Sequence, residues 1–208
     1  MTEPVDPVVR WDERYEGREY LWDVGPNQFV ERHAAGLDPG SAVDQAAGEG
    51  RNAVWLARHG WRVAAVDFSQ VGLDKAARLA ADHGVSDRVE IINADALSWA
   101  PAEPVDLVVV AYLQLPSPQV RIALEHAAAW LRPGGRLLIV AHDRSNITDG
   151  HGGPSDPDHC YDLDETVSAL ASLEVQVAEV ARRAVETEDG PRTALDTLVV
   201  ARRPEDTR

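Results

Sequence analysis

From residue 41 onward, apolar and polar positions follow one another in short regular blocks. Residues 41–45, 61–67, 88–92, 105–112 and 136–141 are brief, nearly continuous apolar runs, the pattern of strands covered on both faces. Between them, 51–59, 69–83 and 117–131 read as helices that stop at Gly60, at Gly84 and before the turn Pro133-Gly134-Gly135. Ser69 is placed to cap the second helix, and Ser117-Pro118 to open the third with serine as N-cap and proline as its first residue. Strand, helix, strand, repeated in this way, predicts a parallel sheet with helices on both faces. After residue 141 the rhythm changes. Residues 142–161 form a polar loop, 163–173 a helix, and 174–183 and 193–202 two strands around Glu188-Asp189-Gly190-Pro191, an antiparallel pair. The expected fold class is α/β, mostly parallel with an antiparallel strand near the C-terminus.

The segment before residue 41 is different. Residues 1–10 read as a flexible arm. Residues 11–40 hold Trp11, Tyr15, Tyr20, Trp22 and Phe29, too aromatic for a free tail, and are expected to form a cover that packs on the rest. Residues 41–203 are expected to be one ligand-binding domain, within the reach of a 208-residue chain. Apolar residues at 44% and charged residues at 26% are ordinary for a globular protein. The net charge of −15 repels phosphate backbones and anionic lipid, so neither nucleic acid nor membrane is expected as a partner. The single cysteine, Cys160, fits a reducing compartment, the N-terminus lacks the basic flank and apolar run of a signal peptide, and no apolar run is long enough to span a bilayer. The expected location is cytoplasmic.

Three groups of residues carry candidate chemistry. Asp44-Gln45-Ala46-Ala47-Gly48-Glu49-Gly50 lies where the first strand turns into the first helix, at the edge where open α/β sheets bind ligands. Asp67 ends the second strand, where a carboxylate can accept from both ribose hydroxyls of an adenosine ligand; an exposed strand-end aspartate fits equally. Asn93-Ala94-Asp95-Ala96 follows the third strand, where Asp95 can accept from an adenine amino group or can form an N-cap or Asx turn. Gly48-x-Gly50-x-x-Ala53 also fits a dinucleotide fingerprint, with Asp67 19 residues beyond Gly48. Against that reading, a carboxylate at Asp44 is unfavourable beside a pyrophosphate and favourable beside a sulfonium or ammonium group, and Asp95 is not required by the dinucleotide motif.

Val43-Asp44-x-Ala46-x-Gly48-Glu49-Gly50-Arg51-Asn52-Ala53, Val66-Asp67-Phe68-Ser69, Ala94-Asp95 and Leu131-Arg132-Pro133-Gly134-Gly135 together resemble the class I S-adenosylmethionine (SAM)-dependent methyltransferases. With Trp11-Asp12-Glu13-Arg14-Tyr15, Trp22 and Gly25-Pro26-Asn27, the resemblance is to the tellurite-resistance and thiopurine methyltransferase branch, over roughly residues 11–202. The resemblance implies a Rossmann-like sheet, SAM as cofactor and S-adenosylhomocysteine as product. It implies that Asp44, Ala46, Gly48 and Gly50 surround the methionine part, helped by Arg51 and Asn52. It places Asp67 on the ribose, Phe68 beside the adenine, Asp95 and Ala96 on the adenine edge, and Ala111 and Tyr112 near the transferred methyl group.

Gln45, Ala47 and Gln114 depart from the family, where an apolar residue, a cysteine and a histidine are frequent. Gln45 needs a hydrogen-bond partner if buried, and Gln114 cannot serve as a general base. His142, after the fifth strand, is the remaining acid–base candidate beside Tyr112; a solvated strand end is the alternative. His151, His159 and Cys160 share one loop but match no zinc spacing, so no metal is expected. Trp11, Tyr15 and Trp22, with Gln114, are candidates for the acceptor pocket and its lid. The expected reaction is direct displacement of the methyl group by a small-molecule acceptor, either a soft nucleophile or the oxygen, nitrogen or carbon of a larger metabolite. A non-enzymatic SAM or nucleotide sensor and an NAD-dependent oxidoreductase are the alternatives.

Overall fold

The computed structural model describes residues 6–21 and 24–206. Among the described residues the fold is α/β and Rossmann-like: seven strands, mostly parallel, with helices around them and an antiparallel C-terminal pair. The chain groups into two compact units, Met1–Trp99 and Ala100–Arg208.

In the first unit, β1 (Ser41–Gln45), β2 (Arg62–Asp67) and β3 (Val89–Asn93) pair in parallel in the order β3-β2-β1, with Asp44 beside Ala65 and Asp67 beside Asn93. Val43, Ala65 and Val66 are fully buried, as the continuous apolar runs require. Helices α3 (Arg51–Arg58) and α4 (Gln70–Asp82) pack on these strands. In α4, Leu73, Ala76, Leu79 and Ala80 recur at helical spacing and are buried, and Ser69 caps the helix by accepting from the Gly72 amide. Before the strands come α1 (Pro7–Glu16), capped by Asp6, and α2 (Gln28–Ala34), capped by Asn27. Helix α1 thus begins inside the stretch the sequence reads as an arm.

In the second unit, β4 (Val105–Ala111) runs parallel to β5 (Leu131–His142), and β7 (Arg192–Arg202) lies antiparallel to both β5 and β6 (Glu174–Val185), in the order β4-β5-β7-β6. Helix α5 (Ser117–Ala129) precedes β5. Two short helices follow it, α6 (Asn146–Asp149) and α7 (Leu163–Ser168).

Three local expectations are corrected. Strand β5 begins at Leu131, so Pro133-Gly134-Gly135 lies within it rather than in a turn before it. The Gly134 amide donates to the Arg203 carbonyl and the Arg203 amide to Gly135, beside a register shift between Val105 and Leu107. A Cβ on Gly135 would come within 3.0 Å of the Val105 carbonyl, so glycine permits the close pairing. Helix α5 is capped by Pro116, not Ser117, and Pro118 sits in the first turn, where an absent N–H is tolerated. Helix α7 stops at Ser168 because Ala169, Leu170 and Leu173 donate three residues back, as tight turns do.

Candidate functional site

The turn after β1 holds three left-handed residues at alternate positions: Ala46 at φ 60°, Gly48 at φ 53° and Gly50 at φ 76°. A non-glycine residue in that region is uncommon, and Ala46 marks a turn whose shape the surroundings impose. The reason glycine is required differs at each position. A Cβ on Gly50 would meet the Ala76 side chain at 2.5 Å, so this glycine lets α3 and α4 approach. A Cβ on Gly48 would meet the Tyr15 hydroxyl at 2.5 Å.

Two buried carboxylates hold the turn. Asp44, 1% exposed, accepts from the Ala53 amide at 3.0 Å and so caps the first turn of α3, where Gly50 offers no side chain. Burial pushes its carboxyl up to about 7, against the lowering effects of the Ala53 amide and Arg51. Asp67 accepts from the amides of Gly48 and Ser69, both at 2.8 Å. Burial raises its carboxyl as well, against the lowering donations from Ser69, Gly48 and Phe68. Gln45 is fully buried; its amide nitrogen donates to the Ala96 carbonyl at 2.9 Å, while its Oε1 has no partner.

The aromatic segment closes over this turn. Tyr15 is buried against Gly48 and Gly72, and burial, with Asp67 and Glu49 nearby, pushes its phenol up. Trp11 lies beside it with ring centroids 5.6 Å apart, and the Arg14 guanidinium covers the Trp11 ring. Lys75, 9% exposed, donates to the carbonyls of Tyr15 and Arg18 and to Glu49 at 3.0 Å. Glu49, from the glycine turn itself, accepts from the Leu21 amide. Asn52 accepts from the Asn27 amide at 2.9 Å, and Ser69 donates to Asp12.

The second unit holds a separate polar cluster. Asp196 on β7 is fully buried. Its carboxylate accepts from Arg183 Nε at 2.7 Å and from the Tyr112 hydroxyl at 2.9 Å, and lies 3.3 Å from His142 Nδ1. Burial alone would raise the Asp196 carboxyl; His142 and Arg183 outweigh it and hold it below the usual range. Tyr112 adopts φ 58° directly after β4, and its ring lies 4.9 Å from that of His142, the last residue of β5.

Residues 42–135 match the methyltransferase domain family. Over those residues the chain is similar to a methyltransferase domain. It is 34% identical over 120 residues to the ribosomal RNA small subunit methyltransferase C of Alcanivorax borkumensis, covering 55% of this chain and 36% of that one. It is 33% identical over 125 residues to a demethylmenaquinone methyltransferase of Clavibacter sepedonicus, covering 59% and 48%. The chain spans less than half the length of either relative. The N-methyltransferase NodS of Bradyrhizobium japonicum, solved with S-adenosylhomocysteine, shares its fold with a TM-score of 0.70 at 21% identity over 96% of this chain and all of that one.

Within this methyltransferase fold, the sequence candidates fall into three groups. Asp44, Ala46, Gly48, Gly50, Asp67 and Tyr15 converge on the glycine turn. Asp95 is exposed, with its Oδ1 engaged in an Asx turn to the Leu97 amide, and Phe68 is half-buried. Asn52 binds the aromatic segment through Asn27, while Arg51 is half-buried. Ala111 and Gln114 are half-buried on either side of the strained Tyr112, and Tyr112 and His142 meet at Asp196. Trp22 lies outside the described residues. The sequence reading missed Lys75, Glu49, Arg183 and Asp196. Asp196 had a signal: it is an acid inside the apolar run Ala194–Ala201, where a buried charge needs partners.

Proposed function

We propose that this chain catalyses SAM-dependent methyl transfer to a small-molecule acceptor. The observation that carries the reading is the pair of buried carboxylates, Asp44 and Asp67, at a left-handed glycine turn. Burial disfavours their charge, so a cationic ligand gains what a pyrophosphate would lose. The unpartnered Oε1 of Gln45, whose amide reaches the Ala96 carbonyl, adds an acceptor for an amino group beside the loop after β3. This chemistry fits SAM, which supplies an electrophilic methyl on a sulfonium centre. Asp44, Ala46, Gly48 and Gly50 take the methionine part, with Arg51 and Asn52 shaping the helix start. Asp67 takes the ribose, and Phe68, Asp95 and Ala96 line the adenine. Trp11 and Tyr15 exclude water, and Ala111, Tyr112, Gln114 and His142 serve the acceptor.

The curated relatives include a ribosomal RNA methyltransferase by name. The net charge of −15 favours a small molecule over a polyanion. Among the described residues no helix is long and apolar enough to cross a membrane, and the chain is proposed to work in the cytoplasm. The test is release of S-adenosylhomocysteine from SAM over a panel of phenols, amines, thiols and halides, with ribosomal RNA and tRNA alongside. Turnover of a small acceptor supports the reading; turnover confined to RNA overturns it.

A further inference from the structure

We infer that Asp196 and Arg183 position His142 as the proton acceptor for a hydroxyl acceptor that is protonated at neutral pH. The inference rests on the proposed methyl transfer and deepens it by assigning an acceptor class. The geometry begins with the imidazole. Its Nδ1 is buried and lacks a well-aligned hydrogen-bond partner, yet stands 3.3 Å from Oδ1 of the fully buried Asp196. A proton on Nδ1 is directed at the Asp196 carboxylate, and the neutral ring then carries its lone pair on Nε2. The ring is fixed on two further sides. Tyr112 packs at 4.9 Å, and Gly153, at φ 80°, lies so close that a Cβ there would come 2.7 Å from the imidazole carbons.

The carboxylate is held in turn. Arg183 gives Asp196 its shortest bond and Tyr112 a second, so the acid is ionised and aimed before any acceptor arrives. The groups facing His142 are therefore Asp196 from β7, Arg183 from β6 through the same carboxylate, Tyr112 after β4, and the Gly153 backbone. Asp143, next in the chain, turns its carboxylate to Ser145 and Thr197. His142 and Tyr112 both stand at the carboxyl ends of their strands, the edge where open α/β sheets take ligands.

A built proton acceptor gives little to a thiolate or halide, which attacks without losing a proton. It matters for a hydroxyl. The hydroxyl proton moves to Nε2 as the oxygen lone pair forms the new O–CH₃ bond. The electron pair of the broken S–CH₃ bond stays on sulfur. The imidazolium is stabilised by Asp196 until its proton leaves to water.

Nitrogen-15 NMR of the histidine ring tests the arrangement without any acceptor. The wild-type chain is expected to hold the His142 proton on Nδ1, facing Asp196. Asp196→Asn is expected to lose that Nδ1 preference, because the carboxylate that accepts from Nδ1 is removed. Arg183→Gln, which keeps the carboxylate, is the second variant and is expected to keep the proton on Nδ1. A tautomer unmoved in the folded Asp196→Asn variant overturns the inference. With phenol as acceptor, His142→Gln is expected to lower S-adenosylhomocysteine release about a hundredfold. Full phenol turnover by that variant also overturns it. SAM binding measured on the same proteins separates the two readings: a wild type that does not bind SAM fails the methyl-transfer proposal, while the NMR result still decides the role of Asp196.

Discussion

The hydroxyl of Tyr15 occupies the space that a side chain on Gly48 would need, with an added Cβ only 2.5 Å away. One glycine therefore serves two demands, a backbone at φ 53° and the approach of an aromatic ring from α1. Gly48→Ala is expected to lower the melting temperature of the ligand-free chain. Combining it with Tyr15→Ala separates the causes. If the ring contact dominates, the double variant is less destabilised than the sum of the two single changes. Strict additivity in thermal melts would leave backbone strain as the cause.

Asp44 links pH to both stability and binding. Its carboxyl is raised from 3.8 to about 7 in the folded chain. Its contribution to stability is thus fully present below about pH 4 and is lost as pH rises through about 7. Asp44→Asn is expected to melt above the wild type at pH 8, with the gap narrowing towards pH 4. A bound sulfonium favours the ionised acid, so SAM binding near pH 7 is expected to release protons. Calorimetry in buffers of different ionisation enthalpy measures that release. An identical heat in all of them contradicts the placement of Asp44 beside the cation.

Asp67 accepts two backbone amides and is proposed to accept the ribose hydroxyls. Asp67→Ala is expected to weaken SAM binding by about 1–3 kcal/mol and to lower the ligand-free melting temperature, because the Gly48 and Ser69 amides lose their acceptor. Loss of stability with unchanged affinity would restrict Asp67 to holding the turn.

Lys75 ties the aromatic segment to the glycine turn through Glu49 and the carbonyls of Tyr15 and Arg18. Lys75→Met leaves the buried Glu49 without its cation, a loss of about 3–5 kcal/mol for a buried pair. Faster amide exchange at residues 15–21, with turnover falling further than the melting temperature, is expected if the segment acts as a lid. Deleting residues 1–24 gives the harsher form of the same test. A fall in melting temperature and turnover together would make the segment a plug of the core.

Much of the fold was legible because burial on both faces writes a strand as an apolar run. The antiparallel pair β6 and β7 was equally plain, set off by Glu188-Asp189-Gly190-Pro191. Glycine and proline misled where pairing overrode their turn preference, as at Pro133-Gly134-Gly135 in β5. The glycine turn was visible because its acids and glycines are close in sequence. The contacts of Lys75 with Glu49 and of Asp196 with His142 were not, because they join residues 26 and 54 positions apart and no local pattern records them. The packing of Tyr15 on Gly48 was hidden for the same reason: the turn signals a need for glycine but not which group fills the space.

Titration calorimetry of the folded wild-type chain with SAM, S-adenosylhomocysteine and NAD, repeated with Asp67→Ala, tests the central claim most directly. The account predicts saturable binding of SAM and S-adenosylhomocysteine, weakened in the variant, and no binding of NAD. Binding of NAD with no heat from SAM would contradict it.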